Sequence, residues 1–126
     1  MGLDSYLLVF REEDNIPDVC TDLSDRIGEE IDERYVLKHW RSSWILHDCM
    51  YALFCKKHGR PEDGYGFNVT AMRLDLEDIE RLLKEIKDYP KYEWTKPNTR
   101  KKVKRTLREA AMLIFFGLKV HYYAWF

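Results

Sequence analysis

The first stretch of apolar positions along the chain runs without interruption from Tyr6 to Phe10. A short continuous apolar run is typical of a strand covered on both faces, so the pattern predicts a strand over residues 2–11. Between residues 18 and 33 the apolar positions then recur every four residues, at Val19, Leu23, Ile27 and Ile31. This period predicts an acidic amphipathic helix, which Gly28 weakens.

The next apolar pattern predicts a helix over residues 39–58, after a short extended piece at residues 34–38. Gly59 and Pro61 follow it and are typical of a helix end. At 100° per residue, one stripe of this helix collects aromatic and imidazole side chains, namely Trp40, Trp44, His47, Tyr51 and Phe54. We therefore expect these side chains to line one inward-turned face.

Strand composition returns at residues 67–74, and a helix is predicted over residues 76–89. Asp75 can cap the N-terminus of this helix, and Pro90 ends it. One apolar stripe supports the prediction, with Ile79, Leu82, Leu83 and Ile86 at helical spacing.

The last part of the chain predicts one more helix and one more strand. Asn98 or Thr99 caps a helix that reaches residue 116, and the β-branched and aromatic residues 118–126 suit a final strand. Strands and helices do not alternate as regular βαβ units. The predicted fold class is therefore α+β, a single globular domain over residues 1–126 with a small mixed sheet of three or four strands packed with about four helices.

The composition argues against extended disorder, since 45% of the 126 residues are hydrophobic and 14% are aromatic. Four Trp and eight Tyr exceed what a minimal core of this size needs. Aromatic side chains are enriched at protein interfaces, so we expect some of them to face a partner or a ligand.

No membrane contact is predicted, because the longest apolar run, residues 110–118, is far shorter than the roughly 20 residues of a membrane span. The N-terminus lacks the basic region of a secretory signal. Cys20, Cys49 and Cys55 form no CxxC motif and leave one cysteine unpaired. This usage predicts free thiols in a reducing, cytoplasmic setting.

Charge is unevenly distributed although the net charge is only −1. Residues 12–34 contain ten acidic side chains and two arginines, whereas residues 95–108 contain seven basic side chains and no acidic one. The acidic segment alone could be a solvated face or a docking surface for a basic protein.

Two interpretations of the aromatic helix stay open. In the first, it forms a ligand pocket in which Trp faces stack a planar group while Arg41 and His47 bind an anion or move a proton. The candidate ligand-binding residues are then Trp40, Arg41, Trp44, His47 and Tyr51. In the second, the same residues build a core helix that contains one satisfied histidine.

The basic helix offers a second candidate site. Its contiguous cationic face consists of Lys101, Lys104, Arg105 and Arg108, and these residues could bind an anion or track nucleic-acid phosphates. A solvated face and a surface that pairs with the acidic segment of the same fold are the alternatives. So many cations near a helix N-terminus oppose the helix dipole, which an anionic partner would relieve.

Motifs for catalysis or metal binding are missing from the sequence. It contains no GxGxxG, P-loop, GxSxG or HExxH pattern, and no pair of His or Cys has metal-ligand spacing. We therefore predict no catalytic residue, no metal site and no cofactor, and the motif evidence for an enzyme is close to nil.

Two segments, MGLDSYL at the N-terminus and HWRSSWILH, together resemble a family of short phage and prophage proteins. Members begin MGLDMYL-like, carry a YWRKxNxIH-like run, and show a strand feeding a Leu-rich helix, similar to FNVTAMRLDLEDIERLL, and a tyrosine-containing end with Trp, similar to HYYAWF. The positions that fit are Gly2, Leu3, Asp4, Tyr6, Leu7, Trp40, Arg41 and His47. Departures from the motif occur at Ser5, His39, Ser42 and Trp44.

The resemblance implies a viral origin and action in the cytoplasm of an infected bacterium. Together with the small size, the aromatic surplus and the uneven charge, it predicts a protein that binds and inhibits a host protein, for example part of a defence system. Nucleic-acid or nucleotide binding by the basic helix is one alternative. A small-ligand or enzymatic site around Trp40, Arg41 and His47 is another, and the sequence specifies neither the partner nor the oligomeric state.

Overall fold

Five strands and four helices make up the part of the chain that the computed structural model describes, residues 2–28, 30–60, 67–88 and 100–126. In chain order they are β1 (Asp4–Phe10), β2 (Val19–Cys20), α1 (Leu23–Ile27), β3 (Val36–Arg41), α2 (Trp44–His58), β4 (Thr70–Leu74), α3 (Leu76–Asp88), α4 (Arg100–Phe115) and β5 (Lys119–Trp125).

The strands form one sheet with the order β2-β4-β5-β1-β3, and every neighbouring pair is antiparallel. The α+β class is thereby confirmed. The expectation of a mixed sheet with three or four strands is wrong in its details, because the sheet is antiparallel and has five strands. The added strands are β2 and β3, which lie at its two edges.

β1 is an inner strand of the sheet, where both faces are covered. The continuous apolar run of this strand is therefore explained as the sequence predicted. Leu7 points toward the helices, while Leu8 and Phe10 point to the opposite face, and all three are fully or almost fully buried. On β5 the same alternation places Tyr122 on the helix side and Tyr123 on the other.

The main core lies between the sheet and α2, α3 and α4. Its buried side chains come from both layers and include Leu7, Leu46, Leu82, Leu107 and Tyr122. The amphipathic stripes of α3 and α4 supply the helix side of this core, as their spacing predicts.

The start of α3 is fixed by two reciprocal hydrogen bonds. The Asp78 backbone N–H donates to Asp75 Oδ1 at 2.8 Å, and the Asp75 N–H donates to Asp78 Oδ2 at 3.0 Å. The predicted capping role of Asp75 is confirmed. Pro90, Asn98 and Thr99, which are predicted to end α3 and to begin α4, lie outside the described residues.

The predicted acidic helix over residues 18–33 is wrong. Val19 and Cys20 pair with β4 instead, α1 spans only five residues, and Gly28 follows it with φ +102°, a conformation that favours glycine. The apolar residues at this four-residue spacing nevertheless face the protein interior. Leu23, Ile27 and Ile31 pack on the sheet face opposite the long helices.

The aromatic helix begins at Trp44 rather than at residue 39. Residues 39–41 belong to β3, where His39, Trp40 and Arg41 pair with Tyr6, Ser5 and Asp4 of β1. Ser42 has φ +57° and its N–H donates to the Leu3 carbonyl at 2.7 Å, so the chain turns there before α2 starts. The predicted single helical stripe from Trp40 to Phe54 is therefore broken between Trp40 and Trp44.

Candidate interaction surfaces

His47 lies in the core. Its side chain is 4% exposed and its ring contacts Trp44, Phe67, Tyr122 and Phe126. His47 Nδ1 lies 2.9 Å from the Tyr122 hydroxyl, which itself donates to Ser5 Oγ at 3.1 Å. His47, Tyr122 and Ser5 thus form one buried hydrogen-bonded chain.

The electrostatics of this cluster follow from burial. Desolvation lowers the pKa of His47 to about 4 and raises the pKa of Tyr122. At neutral pH both groups are therefore uncharged, and each has a hydrogen-bond partner inside the protein. This arrangement is that of a satisfied core histidine, the second of the two interpretations of the aromatic helix.

The remaining residues of the predicted ligand pocket are dispersed. Trp40 is 3% exposed and enters the main core from β3, and Tyr51 packs half-buried against the same core. Trp44 is 44% exposed at the start of α2. Arg41 lies on β3, where its Nε is 3.7 Å from Asp4 Oδ1, so Arg41 and His47 do not belong to one helix as the sequence predicted.

The basic helix is placed as predicted. Lys101, Arg105 and Arg108 are exposed on α4, and Lys104 is half-buried. Within the described part of the chain, none of these four side chains forms an ion pair with the acidic segment. The acidic residues lie by the opposite face of the sheet. In the described residues the basic helix therefore does not pair with the acidic segment, which was one of the predicted alternatives.

Positive charge is concentrated where α4 begins. Partial desolvation, followed by the charges of Arg100, Arg108 and Lys87, lowers the pKa of the Lys104 ammonium. The C-terminal turn of α3 thus adds Lys87 to the cationic surface. An anionic group placed here would be attracted by several like charges at once.

The same outward line of α4 continues into apolar side chains that the sequence interpretation missed. Met112 is 62% exposed and Phe115 is 75% exposed, and Phe116, just after the helix, is 73% exposed. At 100° per residue, Met112 and Phe115 lie with the three exposed cations on one stripe about 80° wide. We call it the α4 stripe, and it consists of Lys101, Arg105, Arg108, Met112 and Phe115.

A signal for this stripe was present in the sequence. Met112 follows Arg108 by four residues and Phe115 follows it by seven, which places both on the polar side of an amphipathic helix. Residues 110–118 were interpreted only as an apolar run of core size, so the exposure of Met112 and Phe115 was not predicted. The stripe extends roughly 21 Å along the helix, at 1.5 Å per residue.

A second surface lies on the other face of the sheet. Tyr6, Tyr123 and Trp125 come together there through the pairing of β1 with β5, and they line a cavity of about 620 Å³. Trp125 is 58% exposed. No sequence pattern indicated this cavity, because its walls come from strands at opposite ends of the chain.

Comparison of the chain with protein-family models, with curated proteins and with solved structures found no match. In the described residues, no helix is both long and apolar enough to cross a membrane. The same residues contain no group of three or more His, Cys, Asp or Glu side chains that could hold a metal ion.

Proposed function

We propose that this protein is a small phage-encoded factor that acts in the cytoplasm of an infected bacterium by binding a host protein, with the α4 stripe as its contact surface. The observation that carries the proposal is the exposure of Met112 and Phe115, 62% and 75%, in line with three exposed cations. Large apolar side chains that are grouped and exposed on a helix are typical of a binding surface.

The chemistry of the α4 stripe indicates its partner. Met112 and Phe115 would insert into an apolar depression, and Arg105 and Arg108 would meet carboxylates beside it. We therefore infer a host protein that presents an acidic rim around an apolar pocket. A Met side chain adapts to an irregular apolar pocket, and the rigid Phe ring buries a large area at a low entropic cost.

The phage origin is supported by the resemblance at the N-terminus and around Trp40, Arg41 and His47. In the structure Asp4 and Arg41 lie 3.7 Å apart, and His47 reaches Ser5 through Tyr122, so the two segments of the resemblance are in contact with each other. This proximity gives the shared residues a structural role. It does not by itself provide an activity.

The test is affinity capture from the bacterial lysate with the wild-type protein and with Met112→Ala/Phe115→Ala, followed by titration of the retained protein. We expect the double variant to weaken binding at least about 30-fold, as expected for the loss of roughly 2 kcal/mol at an interface anchor. Leu76→Ala is the matched control, because Leu76 is 45% exposed but lies on α3. Equal retention by the folded double variant and the wild type would contradict the proposal.

Nucleic-acid binding is the second candidate, favoured by the clustering of Arg100, Arg108 and Lys87 around Lys104. It makes a different prediction in the same set of variants. DNA affinity would fall steeply with salt, would be lost in Arg105→Glu/Arg108→Glu, and would not depend on Met112. Binding to a protein partner would instead depend on both halves of the α4 stripe.

A further inference from the structure

The cavity on the sheet face opposite α4 has an aromatic wall that is held in place on several sides. Tyr6 and Tyr123 are direct partners across β1 and β5, with ring centroids 6.3 Å apart, and Trp125 lies one row further along β5. The His39 ring stacks on Tyr6 at 4.5 Å, and His39 Nε2 lies 2.8 Å from Asp4 Oδ1. The aromatic faces are thus preorganised.

The rest of the lining combines apolar contact with one carboxylate. Ile31 and Val69 line the cavity, and Glu30 is its acidic residue. In the described ranges Glu30 forms no ion pair, whereas the nearby Asp22 and Asp32 are paired with Arg26 and Arg34.

The charge of the surroundings decides which ligands fit. The segment that forms this wall carries Asp25, Glu30 and Glu33 without a basic partner among the described residues. The Arg41 guanidinium acts electrostatically on Tyr6, but the Asp4 carboxylate beside it has the larger effect on that side chain. An anionic ligand would be repelled, and a cation would be attracted both by Glu30 and by the electron-rich ring faces.

We propose that this cavity is a binding site for an organic cation of the guanidinium or alkylammonium class. Trp125, Tyr6 and Tyr123 hold the charged head by cation–π contact, and Glu30 pairs with it. Ile31 and Val69 contact the alkyl stem that carries the head. The site lies on the other side of the sheet from α4 and does not depend on the function proposed for the α4 stripe.

The backbone of Val69, in the wall of the cavity, is strained, which supports the assignment of a binding site. Val69 has φ +54°, a conformation that β-branched residues rarely adopt, and it is held there by an N–H donated to the Ala124 carbonyl at 2.8 Å. This turn leaves Val69 40% exposed at the cavity. Backbone strain of this kind is enriched at binding sites.

The experiment is an NMR titration of the full chain with acetyl-arginine-amide, using acetyl-citrulline-amide as the uncharged analogue of the same shape. We expect arginine to shift the Trp125 indole signal at millimolar concentrations, and the citrulline compound to bind at least about tenfold more weakly. Equal binding of the two compounds would overturn the assignment of a cation site. Binding of free arginine as strong as that of the amide would identify the ligand as a small molecule rather than a protein side chain.

Variants locate the site, with binding followed by the backbone amide signals of Val69 and Tyr123. Glu30→Gln should weaken arginine binding about fivefold and Trp125→Leu about tenfold or more. Glu77→Gln and Trp44→Leu are the matched controls, since Glu77 and Trp44 are exposed outside the cavity, and both should bind as the wild type does. If Glu30→Gln and Trp125→Leu bind arginine unchanged while their spectra remain dispersed, the proposal is wrong.

Discussion

Helices α2 and α4 both carry a conspicuous line of side chains, but the two lines have opposite relations to solvent. His47 on α2 is 4% exposed and is enclosed by aromatic rings, whereas Phe115 on α4 is 75% exposed. Spacing along a helix shows which residues share a face. Only the contacts of the whole fold decide which face is turned outward, and here the more polar helix carries the exposed aromatic side chains.

The largest expected difference between the two regions is in their response to acid. Burial lowers the pKa of His47 and of His121 to about 4, from the usual 6.5. A depressed folded-state pKa stabilises the protein above pH 6.5, and this stability is lost as the pH falls from 6.5 toward 4. Each histidine should cost roughly 3 kcal/mol by pH 4.

Chemical denaturation between pH 7 and pH 4, together with NMR titration of the imidazole signals, measures this loss. A His47 signal that titrates near pH 6.5 in the folded protein would contradict the buried assignment.

Truncation of single side chains gives the next largest difference. His47→Ala should lower the free energy of unfolding by about 3 kcal/mol, because it leaves a cavity and removes one of the two hydrogen-bond partners of the Tyr122 hydroxyl. Arg105→Ala on the exposed face of α4 should change it by less than about 0.5 kcal/mol. Urea denaturation of both variants makes the comparison, and equal losses would show that the two helices do not differ as described.

Trp44 is intermediate between the buried side chains of α2 and the exposed side chains of α4. It is 44% exposed, yet its ring makes edge contacts with His47 and Phe126, at centroid distances of 6.1 Å and 5.5 Å. Trp44→Ala should therefore cost an intermediate amount, about 1 kcal/mol, from the lost ring contacts and area. A cost near zero would place Trp44 with the exposed residues of α4.

The smallest effect on stability is expected at the apolar end of α4. Met112→Ser/Phe115→Ser should change the free energy of unfolding by less than about 0.5 kcal/mol per site, because neither side chain is buried. Urea denaturation of the variant beside the wild type measures this difference. A marked loss of stability would show that these side chains pack within the protein.

Local pattern predicted the elements whose signal lies within one segment. β1 was predicted from a continuous apolar run, α3 and α4 from apolar residues at helical spacing, β5 from its composition, and Asp75 was predicted as a cap. The segment at residues 39–41 was assigned to a helix because its strand partner, residues 4–6, lies about 35 positions away and leaves no local signal.

The candidate sites divide in the same way. The outward cations of α4 follow from helical spacing, so they could be predicted. The cavity at Tyr6, Tyr123 and Trp125 depends on the register of β1 against β5, and that register is fixed by side chains more than a hundred positions apart. The charge pattern alone could not show that Glu30 would face these rings.

The position of β5 between β4 and β1 has a consequence for biosynthesis. While residues 119–125 are still inside the ribosome, the two strands that flank them have no partner for these backbone hydrogen bonds, so the sheet cannot close before β5 has left the ribosome. Nascent chains stalled before Lys119 should be sensitive to protease, and chains extended past Trp125 should be resistant.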